Sequence, residues 1–293
     1  MPDTLEAKDA PSSDPFTAFW NNVLVAKFER FRDILQRGLS FHGDVPLRAL
    51  ELPAGARVLD VGCGWGDTAI DLARKVGSAG HVVGVDCCEK FLEGGRADAR
   101  TAGVNNVEFI AADVQTQRFA EHFDFVFSRF GTMFFGSPVA AMRNIRAAMK
   151  PGATFMFVVW RTLSDNPWFK VPKDVVLRYL PPPPGDGQSC GPGPFSMADP
   201  EVVRAQLAAA GFVDVKLERV DGPVRVGRSV EEAVAFQLTI GPAGEIVREA
   251  GALAEARRPE IERALTDTLS QYLQDGAVVM QSSSWTITAR NPA

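Results

Sequence analysis

Between residues 45 and 220 the hydrophobic positions alternate between two patterns. Short apolar runs, typical of strands buried on both faces of a sheet, are each followed by a stretch with helical spacing. The predicted strands cover residues 57–61, 82–86, 107–111, 123–128 and 154–160. The predicted helices cover residues 68–76, 89–102, 116–121 and 138 to about 150. This alternation predicts βαβ units, a parallel sheet and right-handed crossovers.

The flanking patterns differ from this core. An aromatic helical face recurs over residues 15–37, after a polar tail, and a short helix is predicted over 45–50. Residues 161–198 form a loop insertion rich in proline and glycine. Further predicted elements are a helix over 200–210, a strand over 213–219, helices over 230–238, 246–256 and 259–273, and a final strand over 277–289.

These patterns divide the chain into four parts. We expect a tail and helical lid over 1–44, a core over 45–220, a helical cap over 221–275 and the last core strand over 276–293. Parallel sheets bind ligands beyond the carboxyl ends of their strands. We therefore expect three segments to roof that edge of the sheet: residues 1–44, the 161–198 insertion and the 221–275 cap.

The first strand ends in glycines at alternate positions, Gly62, Gly64 and Gly66, and a helical pattern follows at once. Glycine permits positive φ and close approach of a ligand to the backbone. The dinucleotide fingerprint G-x-G-x-x-G has its last glycine where this chain has Asp67. An acid there suits a ligand with an ammonium group better than a pyrophosphate, and Asp60 in the preceding strand does so too.

Composition narrows the class of protein. The chain has 293 residues, 46% of them hydrophobic, and a formal net charge of -5. An acidic balance argues against a nucleic-acid-binding surface. The cysteines show no metal-ligand spacing, and adjacent Cys87 and Cys88 are poorly placed to bridge each other, so a reducing cytoplasmic setting is expected, without a metal. No signal peptide and no apolar run of membrane-spanning length is visible.

The glycine loop, with Asp86 at the end of the next strand, resembles motif I of the class I S-adenosylmethionine (SAM)-dependent methyltransferases. The stretch 128–135 and Trp160-Arg161 are similar to the UbiE-like branch of that family. The resemblance implies a seven-stranded Rossmann-like α/β sheet of order 3-2-1-4-5-7-6 with helical cap insertions. It also implies SAM as cofactor and S-adenosylhomocysteine as product.

The resemblance also implies roles for individual residues. Asp60 would face the methionine ammonium, and Asp86 would accept hydrogen bonds from the ribose hydroxyls. The glycines would lie under the cofactor, and Cys87, Asp113 and Val114 would lie against the adenine. The residues expected to flank the methionine part and the transferring methyl are Ser128, Arg129 and Phe130.

The acceptor is expected to be a small, mostly apolar or aromatic molecule in a closed pocket. The residues expected to bind it are Trp20, Phe41, Phe130, Met133 and Phe134. Methyl transfer needs alignment and exclusion of water, and a base only for some acceptors. Among the three histidines, His42 is the candidate base, since His81 and His122 border strands.

Other functions stay open at this point. They are a non-catalytic SAM-binding module and a nucleotide-dependent oxidoreductase of similar fold, which the missing third glycine disfavours. Methylation of nucleic-acid bases is disfavoured because Ser128-Arg129-Phe130-Gly131 replaces the D/N-P-P-Y/F motif usual after the fourth strand. An arsenite methyltransferase needs several thiols, and only Cys190 lies outside the nucleotide half. The sequence leaves the acceptor, the methylated atom, the pathway and the oligomeric state undetermined.

Overall fold

The computed structural model describes residues 17–18, 20–120, 122–183 and 192–293. The polar tail, the predicted helix start at Pro15, part of the 161–198 insertion and Cys190 lie outside the described residues. In the described part of the chain, no helix is both long and apolar enough to cross a bilayer.

A twisted mixed sheet forms the centre of the molecule. Its strands are β1 Arg57–Val61, β2 His81–Asp86, β3 Val107–Ala111, β4 Phe123–Arg129, β5 Met149–Trp160, β6 Val213–Gly227, β7 Leu273–Gln274 and β8 Ala277–Arg290. The strand order is β3-β2-β1-β4-β5-β8-β6, and β7 pairs with β8 alone. β1 to β5 are parallel, and β8 is antiparallel to both of its neighbours. The predicted order is confirmed, because the two-residue β7 only shifts the number of the last strand.

Helices cover both faces of this sheet. The described α-helices are α1 Val25–Arg30, α2 Phe41–Ala49, α3 Asp67–Val76, α4 Glu89–Thr101, α5 Pro138–Ala147, α6 Pro167–Val176, α7 Pro200–Ala210, α8 Val230–Gln237, α9 Gly241–Ala250 and α10 Ala252–Leu269. Two π-helical stretches, Trp20–Leu24 and Ile34–Gly38, flank α1. The crossover helices between parallel strands bury apolar side chains, which explains why the strands lack polar alternation.

The two faces of the sheet belong to different hydrophobic clusters. In β1, Leu59 and Val61 pack into the larger cluster, while Val58 packs into the smaller one. Asp60 therefore lies in a strand that is buried on both sides, directly before the glycine turn. Asp60 is the second-last residue of β1, so its carboxylate lies near the carboxyl edge of the sheet.

Several predicted boundaries were wrong. Residues 116–120 contain no helix, since the segment turns after Asp113 and has no regular structure as far as residue 120. β6 continues to Gly227 instead of ending at 219, because it pairs along the full length of the long strand β8. The cap is therefore helical only from Val230 onward.

Three helix boundaries also differ from the prediction. α2 begins at Phe41 and not at residue 45, so residues 41–44 already belong to the helix. α6 lies within the insertion that was predicted as a loop, and Pro167 occupies its first turn. The cap helices break at Gly251 and not before Pro259, which lies inside α10. Gly251 has a positive φ of 51°, which ends the preceding helix.

Candidate active site

Each of the three positions after β1 is a glycine for a different structural reason. Gly62, Gly64 and Gly66 all have positive φ, at 65°, 54° and 73°. A Cβ on Gly62 would lie 2.9 Å from the Cα of Gly131, and a Cβ on Gly66 would overlap the ring of Phe109. A Cβ on Gly64 would meet no atom within 4 Å. The turn is thus closely packed on two sides and open on the third, where Gly64 lines a cavity.

Asp86 at the end of β2 holds this turn in place. Its Oδ2 accepts a hydrogen bond from the Gly64 N–H at 2.9 Å, and its Oδ1 accepts one from the Cys88 N–H at 2.9 Å. Burial raises the pKa of Asp86, and the backbone N–H groups oppose that rise. Each carboxylate oxygen has a second lone pair, so the group can still accept hydrogen bonds from ligand hydroxyls in the cavity.

Asp60 is the least compensated charge of the site. It is 1% exposed, it lines the same cavity, and its Oδ2 has no hydrogen-bond partner within the described part of the chain. Burial, together with the nearby carboxylates Asp67 and Asp86, raises the pKa of Asp60 to about 8, although Arg129 opposes the shift. An unsatisfied buried carboxylate costs stability unless a cation or donor reaches it. These residues therefore fit a ligand that brings an ammonium group.

Asp67 is engaged by a side chain from β4. Arg129 donates a hydrogen bond from Nη2 to Asp67 Oδ2 at 2.5 Å, and its side chain is largely buried. Gly43 of α2 leaves room for the stem of Arg129, since a Cβ there would lie 2.6 Å from the Arg129 Cδ. Asp67 is already paired with Arg129. Of the two acids Asp60 and Asp67, Asp60 is therefore the one that can still meet a ligand cation.

The other end of the cavity is lined by the segment after β3. Asp113 and Val114 both line it, beside Cys87 from β2. The Asp113 carboxylate accepts hydrogen bonds from the backbone N–H of Gln115 at 2.9 Å and from its side-chain amide at 3.2 Å. The Val114 carbonyl accepts a hydrogen bond from Asn144 at 2.7 Å. These bonds fix the loop so that a flat ring can lie against it.

The N-terminal segment closes over this end. The Asn21 side chain donates to the Cys87 carbonyl at 3.0 Å, and the indole N–H of Trp65 donates to Glu29 at 2.5 Å. Farther along, Arg32 pairs with Asp98 at 2.6 Å. The predicted lid thus lies on the carboxyl edge of the sheet and is tied to it by polar contacts.

The three non-core segments and the glycine turn line one cavity of about 1310 Å³. Trp20 and Leu39 come from the N-terminal segment, Trp168 from the insertion and Ile246 from the cap. Each of the three segments thus contributes described residues to the lining of this cavity. A wall of aromatic rings continues the cavity beyond the turn, and its members are Phe130, Phe134, Trp160, Trp168, Phe169 and Phe195.

Most of the residues predicted to contact ligands lie on this cavity. They are Asp60, Gly62, Gly64, Asp86, Cys87, Asp113, Val114, Arg129, Trp20, Phe130, Met133 and Phe134. Gly66 and Ser128 do not line it. Gly66 is the N-cap residue directly before α3, and Ser128 is buried and donates its hydroxyl to the Val61 carbonyl at 2.7 Å. Both residues support the glycine turn without lining the cavity.

Phe41 and His42 lie away from the cavity wall. The Phe41 ring packs on Gly222 of β6, where a Cβ would overlap it. His42 is 0% exposed and lies between Ser282 and Ser284. Ser282 donates to the Gly222 carbonyl, so it accepts from His42 Nε2 at 2.6 Å, and Ser284 donates to Nδ1 at 2.7 Å.

This arrangement leaves His42 poorly suited to act as a base. Burial lowers the pKa of His42 to about 4, against a small opposing effect of Asp221. Both ring nitrogens are engaged, so no free lone pair is available to a bound acceptor. The role predicted for His42 finds no support in its position.

The sequence reading missed several residues that the structure brings to the site. Trp65 and Gln115 line the cavity, Asn21 ties the lid, and Gly131 supports Gly62. A signal for α6 was present, because Pro167 after Asn166 is typical of a helix start. Recognising it would have placed Trp168 on a helix instead of a loop.

Comparison with known proteins agrees with this geometry. A family described as "Methyltransferase domain" matches residues 52–176. The demethylmenaquinone methyltransferase of Staphylococcus saprophyticus is 27% identical over 188 residues, which cover 61% of this chain and 79% of that protein.

Two solved structures share the fold. YcgJ from Bacillus subtilis superposes with a TM-score of 0.57 at 19% identity, covering 85% of this chain and 97% of that one. Phosphoethanolamine N-methyltransferase 2 of Haemonchus contortus, in complex with SAM, also gives 0.57 at 17% identity, covering 96% of this chain and 61% of that one. The matched domain and the relatives indicate a class I SAM-dependent methyltransferase, and the sheet order and the solved structures agree with that fold.

Proposed function

We propose that the chain transfers the methyl group of SAM to a small, mainly aromatic organic acceptor. The observation that carries this proposal is that the glycine turn with its acids and the aromatic wall line one cavity of about 1310 Å³. Pockets for one small ligand usually measure about 300–1,000 Å³. A larger shared space accommodates cofactor and acceptor side by side, as direct transfer requires.

In this proposal the cofactor lies over Gly62 and Gly64. Asp86 accepts hydrogen bonds from the ribose hydroxyls, and Asp60 faces the ammonium group, directly or through water. Arg129 lies beside the methionine part, held by Asp67. The residues proposed to contact the adenine are Cys87, Asp113 and Val114. Gly66 and Ser128 act by holding the turn.

When bound, SAM supplies an electrophilic methyl on a sulfonium, and the sulfur departs as the neutral thioether of S-adenosylhomocysteine. The residues of this chain then have to align the acceptor and exclude water. The lid, with Trp20 against Phe134 at a centroid distance of 5.1 Å, closes one side of the cavity. Phe130 stacks on Trp160 at 4.0 Å and forms a flat wall on another side. No histidine is required for these tasks.

An aromatic acceptor fits that wall best. The curated relatives are named demethylmenaquinone methyltransferases, and a compact ring system of that kind suits stacked aromatic side chains. The net charge of -5 disfavours nucleic acid as an acceptor. Cys63, Cys87 and Cys88 are free thiols, which supports the proposed reducing, cytoplasmic setting.

Calorimetry with SAM, S-adenosylhomocysteine and NAD tests the cofactor part of the proposal. We expect the first two ligands to bind and NAD not to bind. Asp86→Ala should weaken SAM by about one to two orders of magnitude, since a hydrogen bond to a charged group contributes about 1.5–3 kcal/mol. Thermal unfolding must accompany that variant, because Asp86 also accepts from Gly64 and Cys88.

Labelled SAM with a panel of small molecules tests the transfer itself. We expect label in a small aromatic acceptor. Label found only in protein or RNA of a lysate, without competition by any small molecule, contradicts the proposal. Tight SAM binding with no transfer to any acceptor favours the alternative of a non-catalytic SAM-binding module. Tight NAD binding without a response to SAM favours the oxidoreductase alternative.

A further inference from the structure

The wall of the cavity formed by α6 contains an unpaired donor. Trp168 is 2% exposed and lines the cavity, and its indole Nε1–H has no hydrogen-bond partner among the described residues. An indole N–H is a donor only, so its partner has to be an acceptor. Buried donors without a partner are rare and costly. This one indicates a ligand that brings an oxygen to α6.

The backbone around Trp168 is firmly held. Gln237 of α8 donates from its side-chain amide to the Trp168 carbonyl at 3.1 Å. The indole packs edge-on against Trp160 at a centroid distance of 5.2 Å, and it lies parallel to Phe236 at 6.4 Å. The ring is therefore positioned by its neighbours, although its polar atom is not satisfied by them. A side chain that its neighbours hold in place while its polar atom stays unpaired is typical of binding sites.

A second donor lies farther along the same helix. Lys173 lines the cavity, is only partly exposed and forms no ion pair with any carboxylate that the structure describes. Lys170 on the same helix, by contrast, is paired with Asp174. Among the described residues, Lys173 is therefore the lysine of α6 without an acidic partner.

The acids near this wall are already engaged. Arg248 donates to Glu245 at 2.9 Å and lies 3.3 Å from Glu249, and Lys27 is a further positive charge near Glu245. Asp199 caps α7 by accepting from the Glu201 N–H at 2.8 Å. Of the described residues near α6, Trp168 thus offers a neutral donor and Lys173 a cation, whereas Glu245, Glu249 and Asp199 are engaged by other groups.

We propose that the acceptor is an aromatic carboxylate whose two oxygens are bound by the Trp168 indole N–H and the Lys173 ammonium. This inference rests on the proposed function, because it names the class of acceptor for that same cavity. Both donors belong to residues that line one cavity, a carboxylate offers two acceptor oxygens, and the rings around Trp160 match a flat aromatic body. Trp168 and Lys173 determine specificity in this assignment, and they are not part of the methyl-transfer step.

The test compares 1-naphthoate with 1-naphthamide, which have nearly the same shape but different charge. Binding of each is measured by calorimetry on the full chain saturated with S-adenosylhomocysteine. We expect the wild type to bind the carboxylate at least about tenfold more tightly. Lys173→Met should abolish that preference and leave the affinity for the amide nearly unchanged. Trp168→Phe keeps the aromatic packing and should weaken both probes about tenfold, since both offer an oxygen to the indole.

Lys170→Met is the matched control, because it removes a lysine of the same helix that does not line the cavity. It should retain the wild-type preference. Equal affinity of the wild type for both probes, no binding of either, or an unchanged preference in Lys173→Met overturns the inference. The saturating titration with S-adenosylhomocysteine reports separately on the cofactor site. A carboxylate preference together with failure of methyl transfer would therefore refute the proposed function and keep this inference.

Discussion

A Cβ atom on Gly62 would lie 2.9 Å from the Cα of Gly131, so the turn after β1 and the loop after β4 touch backbone to backbone. Gly64, two residues later, has the same left-handed conformation but meets no atom within 4 Å. Gly62 is therefore required by the packing of the protein itself. Gly64 instead leaves open space on the lining of the cavity.

Alanine substitutions should separate these two roles. Gly64→Ala should lower the free energy of unfolding by about 1–2 kcal/mol, the usual cost of a left-handed conformation with a side chain, and weaken SAM by more than about tenfold. Gly62→Ala should cost more stability, because backbone overlap adds to the same strain. Gly103→Ala is the matched control, since Gly103 has φ of 65° and open space but lies outside the cavity lining. It should keep its SAM affinity, and a similar loss there would refute this explanation.

Asp60 should couple SAM binding to proton release. Burial raises the pKa of Asp60 to about 8, so the ligand-free carboxyl is mostly protonated at neutral pH, and an adjacent ammonium favours its ionised form. SAM affinity should therefore rise with pH, by at most about tenfold per unit. Measurements between about pH 5.5 and 7.0 keep the ligand's own amino group protonated, because its pKa is about 7.7–8.0.

Asp60→Asn should flatten this pH dependence and weaken SAM at pH 7. Asp124→Asn, which removes a carboxylate paired with Lys150 outside the cavity lining, should retain the wild-type slope. The same linkage predicts that the ligand-free protein loses stability as the pH rises from the ordinary carboxyl value through about 8, since the raised pKa favours the protonated form in the fold. A slope that persists in Asp60→Asn would assign the proton to another group.

Local patterns in the sequence were sufficient to predict that the glycine turn and Asp86 lie together at one edge of the sheet. The strand before Gly62, the glycine spacing and Asp86 at the next strand end are short-range signals, and a parallel sheet brings its strand ends to one edge. The aromatic wall was not predictable in the same way. Trp160 and Trp168 meet because α6 folds back across the sheet, and nothing in their spacing specifies that contact.

The placement of His42 illustrates the same limit. Its sequence position, in the segment before the core, is compatible with a lid, and only the pairing of β6 with β8 shows that Ser282 and Ser284 enclose it. Phe41 beside it packs on Gly222 for the same reason. Residues whose surroundings depend on long-range strand pairing are the ones for which local patterns failed.

Phe134 and Trp20 should affect the acceptor more than the cofactor. Their rings are 5.1 Å apart in an edge-to-face contact at the closed side of the cavity. Phe134→Ala should lower kcat/KM for an identified acceptor by about tenfold or more while SAM affinity changes less than about threefold, because alignment is lost and the cofactor contacts remain. Trp20 also contacts Phe91, so Trp20→Ala is expected to affect the lid as well. Comparable losses of SAM affinity and turnover in Phe134→Ala would contradict its assignment to the acceptor.

His42 should contribute to stability and not to the pH–rate profile. Its pKa is lowered from 6.5 to about 4, so protonation favours the unfolded chain, and stability present above pH 6.5 is lost as the pH falls toward 4. A shift of this size corresponds to about 3 kcal/mol. The unfolding free energy of the wild type should therefore fall more steeply over this range than that of His42→Asn, whereas log kcat/KM against pH should keep its shape. His81→Asn, which alters a histidine outside the cavity lining, controls for general effects of the substitution. Loss of the acidic limb of the pH–rate profile in His42→Asn alone, with SAM binding intact, would restore the prediction that His42 is the base.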